Sequence, residues 1–128
     1  IMDGGFMSNK VVHFEITSKD PESSIKFYTE VFGWKITKWD GPVDYWLVDT
    51  GDPEKPGIGG AIMQEGDVKG TVNTIDVENI HKAIKSIGDN GGEIVRDIQT
   101  IPGVGYFVYA TDPNGELFGL MQSDPEAK

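Results

Sequence analysis

Apolar and polar residues alternate from Val11 to Ile16: Val12, Phe14 and Ile16 fall on one side of an extended chain, His13 and Glu15 on the other. That pattern predicts a strand with one face to cover. Beyond it the period lengthens. Asp20 suits a helix N-cap and Pro21 the first helical position, where the missing N–H costs nothing. Ile25, Tyr28, Val31 and Phe32 follow at helical spacing, and Gly33 stands where a left-handed C-cap residue belongs. A second helix is marked by Ile80, Ala83, Ile84 and Ile87, an i, i+3, i+4, i+7 stripe that stops at Asn90-Gly91-Gly92. The aromatic runs Tyr45-Trp46-Leu47-Val48 and Tyr106-Phe107-Val108-Tyr109 read as strands, and Pro113-Asn114-Gly115 as a hairpin turn.

The order of these elements occurs twice, with a period of about sixty residues. Each half reads as strand, helix and three strands, and each closes on Met-Gln, at Met63-Gln64 and at Met121-Gln122. The division predicted is a first βαβββ module over residues 9–66 and a second over 67–123. Residues 1–8 are an N-terminal extension that need not be native to the domain, and 124–128 are a tail. A helix with one apolar stripe must bury it, and the sheet of its own half is the available partner. The expected fold is α+β: two tandem modules whose curved mixed sheets turn their free faces to each other and enclose a cleft suited to a small molecule.

Composition narrows the function. Across 128 residues, 11 basic and 21 acidic side chains give a net charge of −10. That disfavours non-specific binding to nucleic acid or anionic membrane, both of which need a basic face. There is no cysteine, so disulfides, thiolate nucleophiles and cysteine-held metals are excluded. No apolar run approaches the roughly 18 residues that span a bilayer, and the first residues lack the charged and apolar regions of a signal peptide. A cytoplasmic protein is expected. Gly57-Ile58-Gly59-Gly60 and Gly103-Val104-Gly105 precede strands, not helices, so they read as turns or bulges and not as phosphate loops. No Gly-x-Ser-x-Gly elbow is present. The acidic stretch from Asp49 to Glu65 reads as a solvated loop.

The chemistry concentrates on His13 and Glu15. At two-residue spacing on one strand they share a face, and a neighbouring carboxylate keeps an imidazole basic, so the pair reads as a catalytic proton acceptor or ligand-orienting dyad. His81 lies about 100° round the second helix from Ile80 and should point to solvent. Alternation sends about half of the strand aromatics to each face. It leaves open which of Tyr45 and Trp46, or of Tyr106 and Phe107, faces a ligand. Tyr45, Trp46, Asn73, Tyr106, Phe118 and Met121 are the candidate ligand-binding residues.

His13-Phe14-Glu15-Ile16, Phe27-Tyr28 with Phe32-Gly33-Trp34, Asp44-Tyr45-Trp46, Asn73-Thr74-Ile75-Asp76-Val77, Ile101-Pro102-Gly103-Val104-Gly105 and Phe118-Gly119-Leu120-Met121-Gln122 carry a resemblance across residues 11–122. The chain resembles the vicinal oxygen chelate superfamily of glyoxalase I, bleomycin-resistance proteins and extradiol dioxygenases. Within it, the subgroup of predicted enzymes related to lactoylglutathione lyase is the most similar. The resemblance implies paired βαβββ modules, a homodimer, and a metal held by one residue from each of four strands. Carried over by position, those ligands fall on His13, on Asn73, on Gly119 and on Gly60 or Ala61, so only His13 is a strong match. A weak divalent-metal site of His13, Glu15 and Asn73 is the alternative to no cofactor. The implied function is to bind or transform a small organic ligand in the inter-module cleft, as a lyase or isomerase if it is an enzyme. One alternative is a sequestering protein that holds a drug or metabolite stoichiometrically, as bleomycin-resistance proteins do. A second is a metal-dependent enzyme of the lactoylglutathione lyase type.

Overall fold

A computed structural model describes residues 9–128; the N-terminal extension expected over residues 1–8 lies outside the described residues. The chain divides into two compact units, residues 12–72 and residues 73–128 together with residues 9–11. Thr17 links the stretch after residue 66 to the first unit, because both its N–H and its hydroxyl donate to the carbonyl of Gly70.

The first unit contains β1 (Val11–Ser18), α1 (Pro21–Phe32), β2 (Lys35–Lys38), β3 (Tyr45–Asp49) and β4 (Gly60–Gln64) in the sheet order β2-β3-β4-β1. β1 and β4 run parallel, and the other pairs are antiparallel. This is the βαβββ module read from the sequence. Asp20 caps α1 by accepting from the Ser23 N–H, and Gly33 ends it at φ 72°, a left-handed conformation that glycine adopts without strain. The apolar stripe of α1 behaves differently from expectation. Ile25 and Tyr28 are half-buried, but Val31 is 56% exposed and Phe32 60%. Trp34 comes back from beyond the helix end and stacks on Tyr28 at 4.7 Å and 7°, with Phe14 of the sheet beside it at 5.9 Å. That indole fills the space under the last turn, leaving Val31 and Phe32 outside. Of the acidic stretch from Asp49 to Glu65, residues 51–58 are exposed as read, but residues 60–64 form β4, with Gly60, Ala61 and Ile62 buried between β1 and β3, and are not loop.

The second unit contains β5 (Thr71–Asp76), α2 (Ile80–Asp89), β6 (Glu93–Ile94), β7 (Gln99–Ile101), β8 (Gly105–Thr111) and β9 (Leu117–Ser123). Its order is β5-β9-β8, with β6 and β7 both antiparallel to β8. β6 and β7 are two pieces of one edge strand. Ile94 stands opposite Ala110 and Gln99 opposite Phe107, so residues 95–98 face only Val108 and Tyr109 and must bulge. Counted this way the second half is also βαβββ. β7 carries no strand signal in the sequence, which shows only the turn or bulge at Gly103-Val104-Gly105. Residues 124–128 are not a free tail: Ala127 is buried, and its carbonyl accepts from the Gly103 N–H at 2.9 Å.

The stripe of α2 packs as its period requires. Ile80, only 1% exposed, meets Val77, Val108 and Leu120, with Ala83, Ile84 and Ile87 against the same cluster. Asn79 accepts from the Lys82 N–H at 3.0 Å, and the Gln122 side chain accepts from the Ile80 N–H at 2.8 Å, so two orphan donors of the first turn are met. Ile80→Ala is expected to cost about 2–5 kcal/mol by emptying the centre of this cluster, read as a lower denaturant midpoint at unchanged slope.

Candidate functional site

β1 presents His13 and Glu15 on the face opposite α1. β4 lies between β1 and β3, and Ala61 is paired with both Glu15 and Leu47. Ala61 puts only a methyl group beside Glu15, and the longer side chain of Tyr45, from its place opposite Met63 on β3, reaches diagonally across it. The Tyr45 hydroxyl donates to Glu15 Oε2 at 2.8 Å and stands 2.9 Å from His13 Nε2. The two rings lie nearly parallel, at 11°, with centroids 6.4 Å apart. Glu15 is 5% exposed; His13 and Tyr45 are half-buried. The sequence places His13 and Glu15 side by side, but the tyrosine that joins them becomes visible only across three strands.

The proton arrangement follows from donor counting. An ionised Glu15 can only accept, so the single Tyr45 proton points to it, and the Tyr45 oxygen accepts from His13 Nε2–H. The imidazole is then held in one tautomer with the Nδ1 lone pair free to take a proton. Burial lowers the His13 pKa from 6.5 by more than the Glu15 charge raises it. His13 is therefore neutral at pH 7, the form a general base needs. The folded pKa lies below the unfolded one, so protonation opposes folding. The penalty is complete below the folded pKa and vanishes as pH rises through 6.5. Stability is expected to rise with pH over that interval, and His13→Ala, compared in urea melts at several pH values, to remove that part of the slope.

Of the candidate ligand-binding residues, Tyr45 alone joins this group. Trp46 points to the other face, where its partner Ile62 is wholly buried. Tyr106 and Phe118 pack in the cluster under α2, and Asn73 shares its strand face with Ile75, which packs there too. Met121 lies on the face away from α2, paired with Phe107 and Asp76. His81 is exposed, as expected.

The pairing registers also correct the correspondence between the halves. Ile16 pairs with Ile62 as Ile75 pairs with Leu120. Counting from those pairs, His13 corresponds to Val72 and not to Asn73, Glu15 to Thr74, and Ala61 to Gly119. Tyr45, opposite Met63, corresponds to Phe107, opposite Met121. A one-residue slip sends every side chain to the other face, which is why Asn73 is not the counterpart of His13. The second module thus carries Val72, Thr74 and Phe107 where the first carries His13, Glu15 and Tyr45.

These residues do not fit the superfamily's metal. Val72 offers no donor. A Cβ built on Gly119 would stand 2.7 Å from the Phe107 ring and 3.3 Å from Thr74 Oγ1, so no carboxylate side chain has room there. Among the described residues no three His, Asp or Glu side chains gather to hold an ion.

Two βαβββ units in tandem make this an α+β protein of the glyoxalase type. The family model described as Glyoxalase/Bleomycin resistance protein/Dioxygenase superfamily matches residues 10–120, and the chain belongs to that superfamily. A protein of Vibrio parahaemolyticus called "Probable lactoylglutathione lyase" is 26% identical over 129 residues, covering 91% of this chain and 94% of the relative. Among solved structures, a hypothetical protein of Bacillus halodurans superposes with a TM-score of 0.69 at 17% identity, covering 95% of this chain and 99% of the other. Methylmalonyl-CoA epimerase of Mycobacterium tuberculosis gives 0.68 at 14% identity, covering 97% and 94%. At those identities the two structures establish the fold. No helix among the described residues is long and apolar enough to cross a membrane.

Proposed function

We propose that this chain binds a small carbon acid on the free face of the first module's sheet, and that His13 removes a proton from it. The observation that carries this reading is the chain from His13 Nε2 through the Tyr45 hydroxyl to Glu15 Oε2, at 2.9 and 2.8 Å. Nδ1 takes the proton, and the C–H bonding pair moves into the adjacent carbonyl as an enolate. The imidazolium that forms is stabilised through Tyr45 by the Glu15 carboxylate. Returning the proton to a neighbouring carbon completes an isomerisation, and expelling a leaving group completes an elimination.

The names of the two functionally described relatives suggest the ligand class. Lactoylglutathione and methylmalonyl-CoA are both thioesters with a removable hydrogen on the carbon next to the carbonyl. Thioesters of short hydroxy- or branched acids are therefore the first compounds to test. In D2O, wild-type protein is expected to exchange that hydrogen for deuterium, and His13→Ala to lose the exchange while keeping its melting temperature. Binding without exchange, undiminished in His13→Ala, would replace this reading with stoichiometric sequestration. Exchange that needs added nickel, zinc or iron would favour the metal-dependent lyase reading.

The reading includes a homodimer. It is supported by the exposed apolar face of α1, where Phe27, Val31 and Phe32 stand clear of the first unit's sheet. Sedimentation is expected to give a dimer that Phe32→Glu weakens.

A further inference from the structure

We infer that Trp39, held in place by Gly41, is a positioning residue that keeps the Tyr45 hydroxyl on the line between His13 and Glu15. The inference rests on the proposed role of that chain and extends it to the β2–β3 turn. Trp39 follows the last residue of β2, and its N–H donates to the carbonyl of Tyr45 at 2.7 Å, closing the turn over residues 39–45. Its indole meets the Tyr45 ring edge-on, with centroids 5.9 Å apart and planes at 72°. The indole also lies against Gly41, where a Cβ would clash with the Cη2, Cζ3 and Cε3 atoms of its ring. The φ of Gly41 is outside the left-handed region, so the backbone itself would accept alanine. A glycine is needed there for space alone, and the occupant of that space is the indole.

Tyr45 needs such a support. It reaches across β4 from the edge half of its sheet, from its place opposite Met63 and over the methyl of Ala61, to Glu15 on β1. Both hydrogen bonds require a heavy-atom separation near 3 Å, so the tilt of the phenol ring decides whether the hydroxyl meets both partners. Trp39 closes the side of the ring away from His13. The other charged groups that β2 and β3 place on this face, Lys35 and Asp49, pair at the far end of the two strands, so neither substitutes for it. Lys38 and Asp44, joined at 3.1 Å, tie the ends of the turn in solvent and leave the indole as its inward contact.

The test reads the His13 imidazole directly. In the wild type the Nε2–H proton, held in its bond to Tyr45, is expected to give a resolved downfield resonance in proton NMR of nitrogen-15-labelled protein at pH 7. Trp39→Ala and Gly41→Ala, the latter by pushing the indole aside, are both expected to lose that resonance to solvent exchange. Trp39→Phe, which keeps an aromatic edge, is expected to retain it. In a Tyr45→Phe background the Trp39 and Gly41 substitutions should change nothing further at His13, because the group they position is gone. Retention of the signal in both Trp39→Ala and Gly41→Ala, together with its loss in Tyr45→Phe, would overturn the positioning role and leave the chain intact. A signal that survives Tyr45→Phe would instead defeat the chain itself. Gly41→Ala keeps every side chain of the site, so it decides the question even if Trp39→Ala does not fold.

Discussion

Tyr45→Phe is expected to slow proton exchange by about 100-fold or more while costing the fold only about 1–3 kcal/mol. The substitution removes one oxygen and leaves the ring, so packing against Trp39 survives. What is lost is the atom within 3 Å of both His13 Nε2 and Glu15 Oε2. Two consequences separate this from general damage. The imidazolium loses the acceptor that spreads its charge, so the His13 midpoint should move further below 6.5, the direction in which burial already drives it. The pH interval over which stability climbs should therefore extend to lower values, because its lower bound is the folded midpoint. The remaining proton transfer should be limited by an imidazole free to rotate. Glu15→Gln gives a complementary check: it keeps an acceptor for the Tyr45 proton and removes the charge, so it should impair exchange with a smaller loss of order at Tyr45. Exchange rates and proton-NMR titrations of both variants would settle the relation. If Tyr45→Phe exchanged at the wild-type rate, the tyrosine would be a packing residue and no part of the chemistry.

What could be read along the chain was whatever depends on local period. The α2 stripe of Ile80, Ala83, Ile84 and Ile87 lies on one face at 3.6 residues per turn whatever surrounds it, and the caps at Asp20 and Gly33 are equally local. The sharing of a face by His13 and Glu15 follows equally from the period of two. What could not be read was phase and register. Tyr45 and Trp46 are both aromatic, so alternation says that they diverge but not which faces the site; the pairing of Trp46 with buried Ile62 decides it. Val11-Val12-His13 looks like Thr71-Val72-Asn73 in the chain, but the partner of β5 is β9, more than forty residues on, and that ladder shifts the correspondence by one. The α1 stripe failed for a related reason. Trp34, outside the helix, competes for the space that the helical pattern assigns to Val31 and Phe32. A bulge at residues 95–98 hid β7 in the same way, since no local signal announces two extra residues opposite a strand.

In the second module, two substitutions within one contact are expected to act with opposite sign. Phe107 is buried with its ring tip on Gly119 and over Thr74, and it meets Tyr109 edge-on at 4.7 Å. Phe107→Ala should cost about 3–5 kcal/mol, since it removes a whole ring from a place that the backbone around Gly119 cannot close. Thr74 lies beneath that ring, 2% exposed, and its hydroxyl has no hydrogen-bond partner. The correspondence with Glu15 and Tyr45 supplies the reason. In the first module a phenol hydroxyl meets the polar group of β1, whereas Phe107 has no hydroxyl to offer Thr74. Thr74→Val keeps the shape and removes the unmet group, so it should leave stability unchanged or raise it by up to about 1 kcal/mol. Gly119→Asp, which would restore a carboxylate to the last strand, should unfold the module, because its Cβ collides with the ring before any ion could bind. Urea midpoints of Phe107→Ala and Thr74→Val, at a slope unchanged from wild type, measure these signs, and loss of the folded baseline measures that of Gly119→Asp. A loss of more than about 1 kcal/mol in Thr74→Val would mean that the hydroxyl is bonded in solution. The second module's face would then be a polar site in its own right and not the apolar counterpart of the first.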